Sequence, residues 1–110
     1  MKQREIWLAD LNPVKGNEQQ GIRPVVVISG NAMNDHLGIS IVCPLTSRIK
    51  NYSGCLVLER NPSNGLSTDS EVITFQVRTL SRERFRTRLG EISGNQLKVI
   101  INGLSEILTY

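Results

Sequence analysis

Histidine and cysteine are scarce in this chain: its 110 residues include one of the first and two of the second. The lone histidine, His36, lies in a run of turn residues from Gly30 to Gly38, where one helical turn at most is expected. It reads as a solvated bystander, so catalysis here would have to proceed without a histidine acid–base pair. One histidine also excludes most zinc sets, and the cysteines show no C-x-x-C spacing. Cys43 and Cys55 sit in apolar surroundings and are expected to be reduced core thiols. No Ser-His-Asp set and no phosphate-cradling G-x-x-x-x-G-K loop occur. No apolar run approaches membrane-spanning length, and Met1–Glu5 lacks a signal-peptide pattern, so a cytoplasmic protein away from the membrane is expected. Repeats, low-complexity tracts and linkers are missing too. One domain over residues 1–110 follows, long enough to bury a core without disulfide or metal. The net charge of +3 allows a nucleic-acid or acidic partner without requiring one.

What is present is organised around Gly16-Asn-Glu18-Gln19-Gln20-Gly21-Ile-Arg23-Pro24, which runs into Val25-Val-Val-Ile28. A polar, glycine-bounded loop feeds a stiff apolar strand. Gly16 and Gly21 allow sharp bends or close approach to a ligand. Pro24 suits the first residue of a strand and holds Arg23 extended. One guanidinium is thereby fixed on the seam between loop and sheet, a suitable place to hold a phosphate.

The remaining pattern is mostly β. Glu5–Leu11 is apolar on two faces, Trp7, Ala9 and Leu11 against Ile6 and Leu8, which suggests a small barrel or a dimer contact. Pro24–Ser29 reads as a central strand, and Ile39–Leu45 and Cys55–Glu59 as two more, with a turn at Asn61–Gly65. Glu71–Leu80 reads as one long strand, with Val72, Thr74, Gln76 and Arg78 on a face open to a ligand and Ile73, Phe75, Val77 and Thr79 on the core. Ser93-x-x-Gln96 is a capping box. It opens a helix whose stripe is Leu97, Ile100, Ile101, Leu104, Ile107 and Leu108, and which Gly103 weakens by roughly 1 kcal/mol relative to alanine. The expected fold is all-β to α+β: a small SH3-like barrel, or strongly curved antiparallel sheet, with a C-terminal helix.

Two features stay open on residues alone. Thr46 ends a strand, where its hydroxyl either bonds the local backbone as a turn residue or donates to a phosphoryl oxygen. Arg82, Arg84, Arg86 and Arg88 alternate; if extended they line one face, screened either by water and salt or by a phosphate backbone or acidic peptide.

Three stretches resemble the MazF/PemK family of toxin endoribonucleases: Glu18-Gln19-x-Gly21-x-Arg23-Pro24 with its strand, Pro44-Leu-Thr46-Ser47, and Gln76-x-Arg78-Thr79. The resemblance implies an SH3-like homodimer that cuts single-stranded RNA, messenger RNA above all, at specific sequences without metal or other cofactor. The products would be 2′,3′-cyclic phosphate and 5′-OH ends. It implies Arg23 and Thr46 as catalytic residues, with Glu18 orienting Arg23 or taking a proton. Gln19, Gly21, Pro24, Ser47 and Gln76 would be RNA-binding. A small antitoxin with an acidic tail is the implied partner, for which Arg82, Arg84, Arg86 and Arg88 would offer charge-assisted bonds. The rival readings are a same-fold toxin that poisons gyrase and a non-catalytic RNA- or peptide-binding module. One departure is visible: Arg4 stands near a place where the family usually has glycine, which is expected to alter a local turn and not the site.

Overall fold

The computed structural model describes residues 1–13 and 16–110. Its strands are β1 (Glu5–Asp10), β2 (Ile22–Val27), β3 (Ile39–Thr46), β4 (Leu56–Leu58), β5 (Ser70–Val72), β6 (Arg78–Ser81) and β7 (Phe85–Glu91). Helix α1 (Asn31–His36) is the single turn expected after β2, and α2 (Gly94–Thr109) closes the chain. The strands form one antiparallel sheet in the order β4-β5-β3-β2-β1-β7, with β6 on the other half of β3. The sheet is open, so of the two expected forms the curved sheet is the one adopted and the closed barrel is not. Curvature folds the seven strands into a body of 33 × 32 × 31 Å.

β2 explains its own lack of alternation. Val26 packs on one face of the sheet with Ile6, Cys43, Leu45, Leu58, Val72 and Ile100. Val25 and Val27 pack on the other with Ala9, Leu11, Val42, Leu80 and Phe85. A strand covered on both faces needs apolar residues at every position. β1 is double-faced for the same reason, as its sequence suggests: Ile6 enters the first cluster and Ala9 and Trp7 the second. Trp7 and Phe85 meet edge to face with ring centroids 5.9 Å apart.

The stretch Glu71–Leu80 departs from expectation. It is two strands broken by a 3₁₀ turn at Thr74–Gln76. The break lies opposite Pro44 of β3. The Pro44 carbonyl accepts the Ile73 N–H at 2.9 Å, but Pro44 has no N–H to return, so the ladder cannot run through. The expected faces are lost with it. Val72 and Thr74 are buried, whereas Phe75 is 48% exposed.

α2 begins with the expected capping box: Ser93 Oγ accepts the Gln96 N–H, and Gln96 Oε1 accepts the Ser93 N–H. Its buried stripe is narrower than the sequence suggests. Ile100 is buried and Leu97 and Leu104 pack on the first cluster, but Ile101 and Leu108 are exposed. Gly103 has a different role from the one expected. A Cβ there would meet the Gly54 carbonyl oxygen at 2.0 Å, so glycine is what lets the helix rest on the β3–β4 loop.

Candidate active site

Strand register builds the site. β2 and β3 pair through Val27↔Val42, Val26↔Cys43 and Val25↔Pro44. The pairing ends at Val25↔Pro44; Arg23 lies two residues before Val25 on β2, and Thr46, two residues after Pro44, is the last residue of β3. Loop and strand therefore deliver these two side chains to one end of the sheet.

Arg23 lies on β2, paired on its other side with Ala9. The strand begins two residues before Pro24, whose missing N–H is tolerated because β3 pairs with β2 only from Val25. Arg23 Nε donates to the Gln20 carbonyl at 2.9 Å, which fixes the plane of the guanidinium. Its terminal nitrogens have no carboxylate partner among the described residues. The loop before it is closed at its base by Gly21, whose φ of 78° suits glycine. Gly21 donates to Asn12 Oδ1 and accepts from the Leu11 N–H. Gln76 clamps the loop from the far side: its Oε1 accepts the Gln19 N–H at 2.6 Å and its Nε2 donates to the Asn17 carbonyl at 3.3 Å. Glu18 is exposed on this loop.

Thr46 is buried, and its Oγ1 accepts the Arg48 N–H at 3.1 Å. The local turn bond that its sequence allows is thus present. It uses an oxygen lone pair and leaves the hydroxyl proton to donate.

One organising residue escaped the sequence reading. Glu71 is fully buried on β5, in register with Thr46. Its carboxylate accepts the N–H groups of Lys50 (2.8 Å), Asn51 (3.1 Å) and Tyr52 (2.8 Å). Three consecutive amides wrapped on one anion give the loop after β3 a single conformation. No local signal marked Glu71, because its partners lie some twenty residues away.

Three clefts are lined in part by the end of β3 or the residues just after it, and the second and third share Gln19, Phe75 and Gln76. One, of about 370 Å³, holds Arg23, Pro24 and Ser47 beside Ser67, Thr68 and Ser70. A second, of about 350 Å³, holds Thr46 with Gln19, Gln76, Arg48, Lys50, Tyr52 and Phe75. The third, of about 400 Å³, holds Glu18, Gln19, Gln76 and Arg78. Every expected catalytic and RNA-binding residue except Gly21 lines one of them, and Gly21 shapes the loop behind. Arg48 and Lys50, like Arg23, form no ion pair among the described residues.

The arginine run does not join this site. Arg82–Arg84 is a 3₁₀ turn, so only Arg86 and Arg88 stand on β7 and no four-residue ladder exists. Arg88 Nε bonds Glu5 Oε2 at 2.8 Å, and Arg86 lies 3.5 Å from Asp10. Neighbouring carboxylates of β1 screen these charges, an answer the sequence reading did not weigh. Burial pushes the Glu5 carboxyl up, but hydrogen bonds from the Lys2 N–H, Arg88 and Trp7 outweigh it and hold the group below its ordinary value. Both cysteines are free; burial pushes the Cys43 thiol up to about 12, so it is inert at neutral pH.

The fold is thus an open, curved antiparallel β domain that carries, near the strand-end hydroxyl of Thr46, cations with no carboxylate partner among the described residues. Residues 2–108 match the family model described as PemK-like, MazF-like toxin of type II toxin–antitoxin system. The chain is 35% identical over 105 residues to an endoribonuclease MazF of Staphylococcus saprophyticus, which covers 94% of this chain and 88% of that one. The crystal structure of MazF from Deinococcus radiodurans superposes with a TM-score of 0.83 at 31% identity, over 99% of this chain and 96% of that one. A MazE–MazF complex from the same organism gives 0.74 at 32% identity, over 96% and 91%. The chain belongs to the PemK-like, MazF-like toxins of type II toxin–antitoxin systems.

Proposed function

We propose that this toxin is a sequence-specific endoribonuclease that grips the scissile phosphate of single-stranded RNA between Arg23 and Thr46. The observation that carries the reading is the placement of Arg23 at the start of β2 and Thr46 at the end of β3, the same end of an antiparallel pair, with Arg48 and Lys50, which form no ion pair among the described residues, in the cleft of Thr46. The activity named for the 35% identical relative supports it.

RNA supplies its own nucleophile. The 2′-oxygen attacks phosphorus, the bond to the 5′-oxygen breaks, and a 2′,3′-cyclic phosphate and a 5′-OH result. The 2′-OH loses a proton and the leaving oxygen gains one. What remains for the protein is alignment and charge neutralisation. Arg23, fixed at Nε, presents its terminal nitrogens to the phosphoryl oxygens. Its pKa above about 12 makes it a poor base. Thr46 donates its free hydroxyl proton to the same phosphate. Glu18 orients Arg23 or accepts the 2′-proton. Gln19 and Ser47 contact the RNA from the two flanking clefts, Pro24 lines the wall, and Gly21 gives the loop its bend. Gln76 acts chiefly by holding the loop, since both ends of its amide are engaged there.

The working form is a homodimer, and its partner is an antitoxin whose acidic tail covers the cationic site. The MazE–MazF complex solved for the Deinococcus relative supports an antitoxin partner. Arg82, Arg84, Arg86 and Arg88 remain candidates for antitoxin contact, with Arg86 and Arg88 already in ion pairs that such a tail would have to exchange. Among the described residues no helix is long and apolar enough to cross a membrane, which accords with a cytoplasmic site of action.

The test is incubation of the purified chain with a varied single-stranded RNA pool in excess EDTA, beside Arg23→Ala, with the new ends mapped. Cuts at a short recurring sequence, bearing cyclic phosphate and 5′-OH and lost in the variant, are expected. An uncut pool would turn the reading to a toxin that acts on an enzyme such as gyrase.

A further inference from the structure

The sequence has one tryptophan, two tyrosines and two phenylalanines. In so small a set, Tyr52 and Phe75 stand 45% and 48% exposed, with ring centroids 5.1 Å apart and planes at 90°. Other large apolar side chains are exposed too, but these two rings touch each other and stand among polar and charged groups. They line the same cleft as Thr46, Arg48 and Lys50.

Both rings are carried on fixed backbone. The Tyr52 N–H is held by buried Glu71 at 2.8 Å. Phe75 sits in the 3₁₀ turn closed by the Gln76 N–H on the Ile73 carbonyl at 3.1 Å. An aromatic pair on rigid supports, beside cations and a strand-end hydroxyl, has the composition of a single-strand binding platform: rings for bases, positive charge for the backbone. Nothing in the core needs these rings exposed. The turn opposite Pro44 throws Phe75 outward, where an unbroken strand would have pointed it into the core.

We propose that Tyr52 and Phe75 form a nucleobase-stacking subsite, which takes an unstacked base of single-stranded RNA adjoining the phosphate held at Thr46. This subsite rests on the ribonuclease reading and adds a specificity element to it. Stacking tolerates any base, so the pair sets where a base must be splayed out, while the amide and hydroxyl groups of the cleft choose among bases.

The test uses a short RNA spanning the mapped cut site, with a 2′-O-methyl group at the cut ribose so that it binds without being cleaved. A second series removes one base at a time. With the wild-type protein, one abasic position should weaken binding about tenfold or more, the loss expected for one base–aromatic stack. Phe75→Leu and Tyr52→Leu should weaken the intact RNA by a similar factor, and the abasic position should then cost nothing further. Tyr52→Phe, which keeps the ring, should bind as wild type. Leucine variants that bind the intact RNA normally would overturn the proposal. So would abasic penalties that persist unchanged in those variants, or a loss confined to antitoxin binding. If the wild-type chain neither cuts nor binds any RNA, the ribonuclease reading itself falls. If it cuts normally and only the coupling is missing, the subsite alone falls.

Discussion

Two regions of this sheet use positive charge differently. Along β1 and β7, Arg86 and Arg88 face Asp10 and Glu5, and Arg4 lies 3.9 Å from Glu91. At the end of β3, Arg23, Arg48 and Lys50 have no carboxylate partner among the described residues. Glu71 is turned inward, its carboxylate taken by the backbone amides of Lys50, Asn51 and Tyr52. Like charges held together without counter-charge cost stability, and that cost is what a polyanion would relieve on binding. The paired charges serve the fold; on the proposed function, the cations at the end of β3 serve the RNA.

The sharpest way to break this comparison is at the unpaired end. Arg23→Ala and Thr46→Ala should each lower RNA cleavage at least tenfold and as much as about 10²–10³-fold, the range for losing one donor aimed at transition-state charge. Thermal unfolding of Arg23→Ala should be little changed, because Arg23 makes one protein hydrogen bond; Thr46→Ala, which removes the acceptor of the Arg48 N–H, should cost about 1 kcal/mol and still fold. If both variants cut at near wild-type rate, the unpaired cations are not the site. Glu71→Gln comes next. One of its amide ends must present an NH₂ to a backbone N–H, so about 2 kcal/mol of stability should be lost. The loop carrying Arg48, Lys50 and Tyr52 should loosen with it, and cleavage should fall more than the stability loss alone explains. Amide hydrogen exchange at Lys50, Asn51 and Tyr52 reads the loosening directly; unchanged protection would deny Glu71 its holding role.

Much of the fold could be read from the chain because local and tertiary demands agree there. The unalternating Val25–Ile28 run is buried on both sides, and the Ser93–Gln96 box caps the helix it predicts. The loop before Arg23 was legible for the same reason: proline, two glycines and a guanidinium constrain one another within a few residues. What could not be read depends on distant partners. The 3₁₀ turn at Thr74–Gln76 follows from Pro44, thirty residues earlier, so Phe75 was assigned to the wrong face. The pairing of Arg86 and Arg88 with Asp10 and Glu5 needs the β1–β7 register, which two bulges shift. The role of Gly103 is set by Gly54 across a loop.

Smaller effects separate the two regions further. Arg48→Ala and Lys50→Ala should weaken RNA binding severalfold each and reduce its salt slope by about one per charge removed. Arg88→Ala should leave RNA binding and slope near wild type, since its charge is matched by Glu5; an equal drop in slope would erase the distinction. The matching has a pH signature. The Glu5 carboxyl titrates below its ordinary value near 4.5 in the folded protein. Its contribution is therefore fully present above that value and lost as pH falls through the folded pKa. Glu5→Gln should lower the melting temperature at pH 7, and the gap from wild type should close as pH drops below about 4. A gap that stays constant to pH 3 would mean the Glu5 charge contributes nothing.

The smallest effect concerns Arg4, the loosest member of the paired edge. Its φ is 79°, the left-handed region where a Cβ costs about 1 kcal/mol. The backbone holds it there from both sides, with its N–H on the Val27 carbonyl and its own carbonyl accepting the Ile92 N–H. The guanidinium returns little, since its contacts to Glu91 and the Ile92 carbonyl are 3.9 and 3.5 Å long. Elsewhere a glycine is less stable than an alanine by about 0.5–1 kcal/mol in an element interior. At position 4 the order should invert: Arg4→Gly should be more stable than Arg4→Ala by about 1 kcal/mol in denaturant unfolding. Both should leave cleavage unchanged, because the turn lies away from all three clefts. If alanine proves the more stable of the two, the left-handed backbone is not what residue 4 sustains, and the side-chain contacts at this edge carry more than their lengths imply.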